Sequence, residues 1–219
     1  MRAEIERLRG DFSKVGGLAL EMTRLGGNAY FTGDRKTAMQ VVDLEKRINR
    51  DEVQLEGQCQ TLLAVQRLDA PEVRWVLSIL RSAVDLERVG DYCFKLAMRA
   101  RERGAPLSHP QEPALKELSG ISTAMLANVL NAFAENNRPA AREVGRNDEA
   151  TDNLKNQIGQ AIQEAWRAGR GSPADYEVLL TSLDLERIAD HATNIAEEVM
   201  VLTSGTIERH VIRREHETL

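Results

Sequence analysis

One heptapeptide occurs twice in this chain: Asp85-Leu86-Glu87-Arg88-Val89-Gly90-Asp91 returns as Asp184-Leu185-Glu186-Arg187-Ile188-Ala189-Asp190, 99 residues downstream. A repeat at so long a period means that one supersecondary unit is built twice, which removes most other folds from consideration. The match extends at the same offset to Leu77 with Tyr176, Leu80 with Leu179 and Val84 with Leu183. At an offset of 103 it also takes in Ala38 with Ala141, Val41 with Val144 and Leu55 with Ile158. The four-residue difference between the offsets predicts a shorter hairpin in the second copy.

The prolines mark where the units break. Pro71, Pro139 and Pro173 each open a long amphipathic run, and Pro106, Pro110 and Pro113 crowd into one linker. Proline is tolerated in the first turn of a helix and not in its interior. Few β-branched runs and only 4% aromatic residues argue against sheet, so the segments read as helices near 2–31, 34–67, 72–102, 112–136, 138–168 and 174–203. The expected fold class is all-α: two tandem, pseudo-symmetric three-helix bundles over 1–104 and 112–205, a Pro-rich linker at 105–111 and a basic C-terminal tail at 206–219. Gly16-Gly17 and Gly26-Gly27 predict a kink or close helix packing in the first helix, since glycine inside a helix costs about 1 kcal/mol relative to alanine.

Charge limits the partners. The 29 Lys and Arg against 34 Asp and Glu leave a formal charge of -5, and nothing in that balance calls for nucleic acid or an anionic membrane. The longest uncharged stretch, Leu118 to Ala134, contains Ser, Thr, Asn and Gly and falls short of the roughly 20 apolar residues that span a bilayer. Met1 to Phe12 carries six charges and no apolar block, unlike a signal peptide, so a cytoplasmic protein is expected. Cys59 and Cys93 lie inside apolar patterns without CxxC or Cys/His spacing and read as small buried hydrophobes.

The acids are placed more informatively than they are counted. On the third helix Val73, Leu77, Leu80, Val84, Glu87, Asp91, Phe94 and Met98 fall on a single face that is apolar at both ends and acidic in the middle. Such a face reads as core with carboxylates in it, and buried carboxylates call for partners. The last helix repeats the pattern with Tyr176, Leu179, Leu183, Glu186 and Asp190. The second helix carries Ala38, Val41, Glu45, Ile48, Glu52, Leu55, Cys59 and Leu62, with Asn49 one turn from Glu45; its copy carries Ala141, Val144, Asp148, Thr151, Lys155, Ile158 and Ile162, with Asp152 one turn after Asp148. Each unit therefore sets carboxylates on facing sides of two neighbouring helices. Motif arginines Arg88 and Arg187 offer one way to satisfy them. The duplication favours another: converging carboxylates repel unless a cation sits among them, and all-oxygen donors suit Mg, Mn, Ca or iron, with zinc also accepting carboxylate. The copies differ at two positions, Lys95 against Asn194 and Glu52 against Lys155, and a lysine ammonium can supply part of a metal's charge.

The run Asp184 to Glu197, its counterpart Asp85 to Tyr92, the Gly33-Asp34 break, Leu62-Leu63-Ala64 and Arg209-His210 together resemble the PhoU family over nearly the whole chain. The resemblance implies two three-helix bundles bearing multinuclear clusters of divalent or trivalent metal ions, such as Fe, Zn, Mn or Mg. By position it implies Glu87, Asp91, Glu186 and Asp190 as principal ligands, completed by Glu45, Asn49 and Glu52 in the first repeat and by Asp148, Asp152 and Asn194 in the second. It further implies a homodimeric, non-enzymatic, cytoplasmic negative regulator of phosphate uptake and of the phosphate-starvation response of the Pho regulon. Its implied partners are the PstB-like ATPase of the phosphate ABC transporter and a PhoR-like sensor histidine kinase, which would bring it close to the membrane without direct nucleic-acid binding.

Two other readings compete. A ferritin-like carboxylate enzyme needs Glu-x-x-His, and no Glu here has His three residues later. A metal-free helical scaffold or adaptor needs only the arginines. Cys59 has no nearby histidine to activate it, and no GxxxxGK[ST] phosphate cradle is present.

Overall fold

The computed structural model describes residues 3–204, leaving the basic tail, with Arg209-His210, outside the described residues. Its elements are α1 (Ala3–Thr32), α2 (Arg35–Val65), α3 (Ala70–Arg103), α4 (Glu112–Glu135), α5 (Arg138–Arg146), α6 (Asp148–Arg167) and α7 (Ala174–Ser204). No strand occurs among the described residues. Helices α1, α2 and α3 pack into one bundle, and α4 with α5, α6 and α7 into the second; α3 lies along α7 and α1 along α4, so the bundles share one buried core.

The helix starts follow from side chains that satisfy otherwise orphaned amides. Asp34 accepts the Lys36 amide at 2.9 Å, Asp69 and Glu72 form a reciprocal capping box with Pro71 beside it, and Asn137 accepts the Ala140 amide at 3.1 Å. The corner between α1 and α2 requires glycine: Gly33 has φ +70°, and a Cβ there would lie 2.2 Å from the backbone of Ala105. The linker is held against that corner, since the Leu107 amide donates to the Phe31 carbonyl at 3.0 Å.

Two local expectations are revised and a third is narrowed to one of its alternatives. The middle helix of the second repeat is interrupted at Asn147, where the Asn147 side-chain amide donates to the Glu143 carbonyl and the Thr151 hydroxyl to the Asp148 carbonyl. These short polar side chains offer the backbone alternatives to the helical ladder. The four residues missing from the second copy are not taken from the hairpin: the connection 168–173 is longer than its counterpart 66–69, and α7 starts later in the repeat than α3 does. The paired glycines of α1 produce close packing in a continuous helix. At Gly26 a Cβ would lie 3.1 Å from the Cys93 carbonyl oxygen, so the missing side chain lets α1 approach the backbone of α3.

The largest correction concerns α3. None of the eight stripe residues Val73 to Met98 is buried. The core arc lies roughly a quarter-turn round the helix, on Trp75, Val76, Ile79, Ala83, Leu86, Gly90, Cys93 and Ala97. The acids of α3 therefore stand on a partly exposed surface flanked by apolar side chains. On α2 the expected stripe does face the core: Ala38, Val41, Ile48, Leu55, Cys59 and Leu62 are buried, with Glu45 and Glu52 at its edge.

Candidate metal centres on the two acidic faces

The first face is assembled by α2, which presents Glu45, Asn49 and Glu52 at one-turn intervals, and α3, which presents Glu87 and Asp91. The Asn49 amide donates to Glu45 Oε1 at 2.6 Å, and its own carbonyl oxygen is buried without a hydrogen-bond partner. Arg88 reaches both acids of its motif from an exposed position, 3.6 Å from Glu87 and 3.4 Å from Asp91. That help is insufficient. Burial, with repulsion from Glu56 and Glu87, pushes the Glu52 carboxyl above the usual range. Burial, then repulsion from Asp91 and Glu45, does the same to Glu87 despite Arg88 and His191. Lys95 does not relieve them, because its ammonium lies over the Tyr92 ring, 4.4 Å from the centroid.

The second face has the same frame and a different charge. Asp148 and Asp152 come from the first turns of α6, and Glu186, Asp190 and Asn194 from α7. Lys155 inserts its ammonium between Asp152 Oδ1 at 2.9 Å and Glu186 Oε1 at 2.8 Å. Burial alone would lower the Lys155 value, but the hydrogen bonds to Glu186 and Asp152 outweigh it and hold the ammonium above the usual lysine range. Arg187 lies 3.3 Å from Asp190 and 3.7 Å from Glu186. The Thr193 hydroxyl donates to Asp148, and the Asn194 amide is turned across the repeat boundary to Asp85 at 3.1 Å.

Among the described residues no three Asp, Glu, His or Cys side chains converge into a ready coordination shell. The donor chemistry nevertheless separates the faces. The first has carboxylates that raise one another's proton affinity and an orphaned, buried amide oxygen, which is the environment a hard cation relieves. The second holds cations of its own among its acids, Lys155 at Asp152 and Glu186, and Arg187 at Asp190; Glu186 Oε2, buried without a hydrogen bond, faces Arg187 at 3.7 Å.

Periodicity did not single out the leading aspartates of the heptapeptides, although their duplication was the available signal. Both tie one repeat to the other. Asp85 accepts from Asn194 and lies 2.7 Å from His191 Nδ1, while Asp184 lies 2.6 Å from an Arg99 guanidinium nitrogen. Ser78 and Arg81 of α3 both reach Glu198 of α7, extending this polar seam between the faces.

The PhoU domain profile matches this chain twice, over residues 12–100 and 115–199. A Pseudomonas aeruginosa protein described as a phosphate-specific transport system accessory protein PhoU homolog is 30% identical over 214 residues, covering 95% of this chain and 87% of that protein. The Escherichia coli phosphate-specific transport system accessory protein PhoU is 27% identical over 210 residues, with 95% and 87% coverage. The crystal structure of PhoU from Pseudomonas aeruginosa superposes with a TM-score of 0.84 at 30% identity, covering 93% of this chain and 99% of that one. The phosphate transport system regulatory protein PhoU from Streptococcus pneumoniae gives 0.84 at 28% identity, covering 93% and 97%. With its duplicated heptapeptide, its paired three-helix frame and both halves matching the same domain, this chain belongs to the PhoU family.

Proposed function

We propose that this chain is a non-enzymatic accessory regulator of phosphate transport whose first acidic face works with a bound cation. The observation that carries the reading is the under-compensated first face, where Asn49 leaves a buried carbonyl oxygen without a partner and where burial and neighbouring carboxylates raise the proton affinity of Glu52 and Glu87 although Arg88 lies 3.6 Å from Glu87 and 3.4 Å from Asp91. Glu45, Asn49, Glu52, Glu87 and Asp91 would hold one or more Fe, Zn, Mn or Mg ions, and the ion would supply the positive charge that cancels their repulsion. Exposed apolar side chains flank both faces at equivalent positions, Val84 at 46% and Leu183 at 47% exposure, which suits docking onto another protein.

On this reading the partners are the PstB-like ATPase of the phosphate ABC transporter and a PhoR-like sensor histidine kinase. Contact with them restrains phosphate uptake and the starvation response of the Pho regulon. The chain acts in the cytoplasm as a homodimer, near the membrane through its partners; no described helix is long and apolar enough to cross a bilayer. The test measures binding of the purified transporter ATPase to chain stripped with EDTA and then reloaded with manganese(II). Binding is expected to weaken on stripping, to return on reloading and to be lost in Glu52→Gln/Glu87→Gln. Binding indifferent to all three would overturn the reading and favour the metal-free scaffold, for which the pairing of Arg88 and Arg187 with their motif acids is the supporting observation.

A further inference from the structure

Positions 52 and 155 are equivalent at the 103-residue offset and carry opposite charges. Glu52 adds a fourth carboxylate to Glu45, Glu87 and Asp91. Lys155 instead places an ammonium 2.9 Å from Asp152 and 2.8 Å from Glu186, with its side chain only 20% exposed. Of the other groups on this face, Asp190 is paired with Arg187, Asp148 accepts from Thr193, and Asn194 is turned toward Asp85 of the first repeat, while Glu186 Oε2 is buried without a hydrogen bond and faces the Arg187 guanidinium at 3.7 Å. A metal entering there would have to expel the ammonium from between two carboxylates and would meet its like charge on the way.

We propose that Lys155 is the resident cation of the second face, so that this face holds its acids together without metal and the chain binds metal through its first repeat alone. The family's implied second cluster does not fit the side chains present here. The inference rests on the first face being the metal-binding one, and it assigns any chelator-sensitive contact to the first repeat while the second keeps its shape under chelation.

The test is manganese(II) binding to the EDTA-stripped, full-length chain by equilibrium dialysis and elemental analysis, with circular dichroism confirming that each variant is folded. Wild-type uptake is expected to vanish in Glu52→Gln/Glu87→Gln and to be unchanged in Glu186→Gln. Lys155→Glu, which restores the acid of the first repeat, is expected to bind about twofold more manganese per chain, because ligand charge sets affinity. Adding Glu186→Gln should remove that gain. Lys155→Gln, which deletes the ammonium without adding a carboxylate, gives a second variant that should gain Glu186-dependent binding. The proposal is overturned if Glu186→Gln lowers uptake by the wild-type chain, or if folded Lys155→Glu and Lys155→Gln bind no more than wild type. If the wild type binds none while Lys155→Glu binds manganese, the first-face reading falls and the role of Lys155 stands.

Discussion

Arg99 is the side chain whose loss should be felt most across the boundary between the repeats. Its guanidinium lies 2.6 Å from Asp184 Oδ2, with the two side chains 17% and 12% exposed, and it also donates to the Thr181 hydroxyl. Asp184 Oδ2 is buried, and no donor meets it with good hydrogen-bond geometry, so what Arg99 provides is chiefly charge. Removing one partner of a buried pair costs about 3–5 kcal/mol because the other charge is left uncompensated. The residual exposure puts Arg99→Met at the lower end, about 3 kcal/mol, and for a chain of this length that lowers Tm by roughly 6–12 °C. The double variant Arg99→Met/Asp184→Leu leaves no stranded charge and should return to within about 1 kcal/mol of wild type. The assay is urea denaturation of the wild type, both single variants and the double, read as a double-mutant cycle. Additive losses, or an Arg99→Met loss below about 0.5 kcal/mol, would refute the claim that this pair fastens α3 to α7.

Three further outcomes follow from the same structure. Gly33→Ala should cost about 1–2 kcal/mol for the left-handed backbone alone, and more for driving the linker away from the α1–α2 corner; an unchanged urea midpoint would mean the linker yields freely. Cys59 and Cys93 are fully buried, which pushes both thiols up to about 12, so Ellman's reagent should label neither in the native protein and both after unfolding in guanidinium. The Ser172 backbone amide, and after it His109, hold the Asp175 carboxyl below the usual range. Its folded value lies under the unfolded one, so this stabilisation is present above about pH 4 and is lost as pH falls through the folded value. Asp175→Asn should therefore lower Tm at neutral pH and converge with wild type in acid; a gap independent of pH would contradict the electrostatic account.

The helical architecture was legible because its signals are local. Pro71 and Pro139 lie in the first turns of α3 and α5, Asp34 and Asp69 cap the helices that follow them, and the buried stripe of α2 is the one its apolar spacing predicts. The split at Asn147 was not legible, because a short run of Asn, Asp and Thr reads equally well as a helix surface or as a set of side chains competing for backbone carbonyls. Of the expected metal ligands, the five on the first face lie on the neighbouring helices α2 and α3, with Asn49 hydrogen-bonded to Glu45. On the second face Asn194 turns away to Asp85, and Lys155 ties Asp152 to Glu186.

The sequence by itself determined that one three-helix unit is used twice, where its helices begin, and that acids recur at fixed angular positions on two of them. These are properties of spacing along the chain, and helical periodicity converts spacing into relative angle. Periodicity does not set the rotation of a helix about its own axis; the neighbours against which it buries most apolar surface do. Only the tertiary structure decided that the stripe of α3 lies on a partly exposed surface beside the core, because α1, α2 and α7 all pack on this helix and claim another arc of it. Only there does the flexible stem of Lys155 settle its charge between Asp152 and Glu186, and Asp184 meet an arginine from the opposite repeat. Charge pairing between residues distant in sequence depends on which surfaces come together, and that is what separates two acidic faces that look alike along the chain.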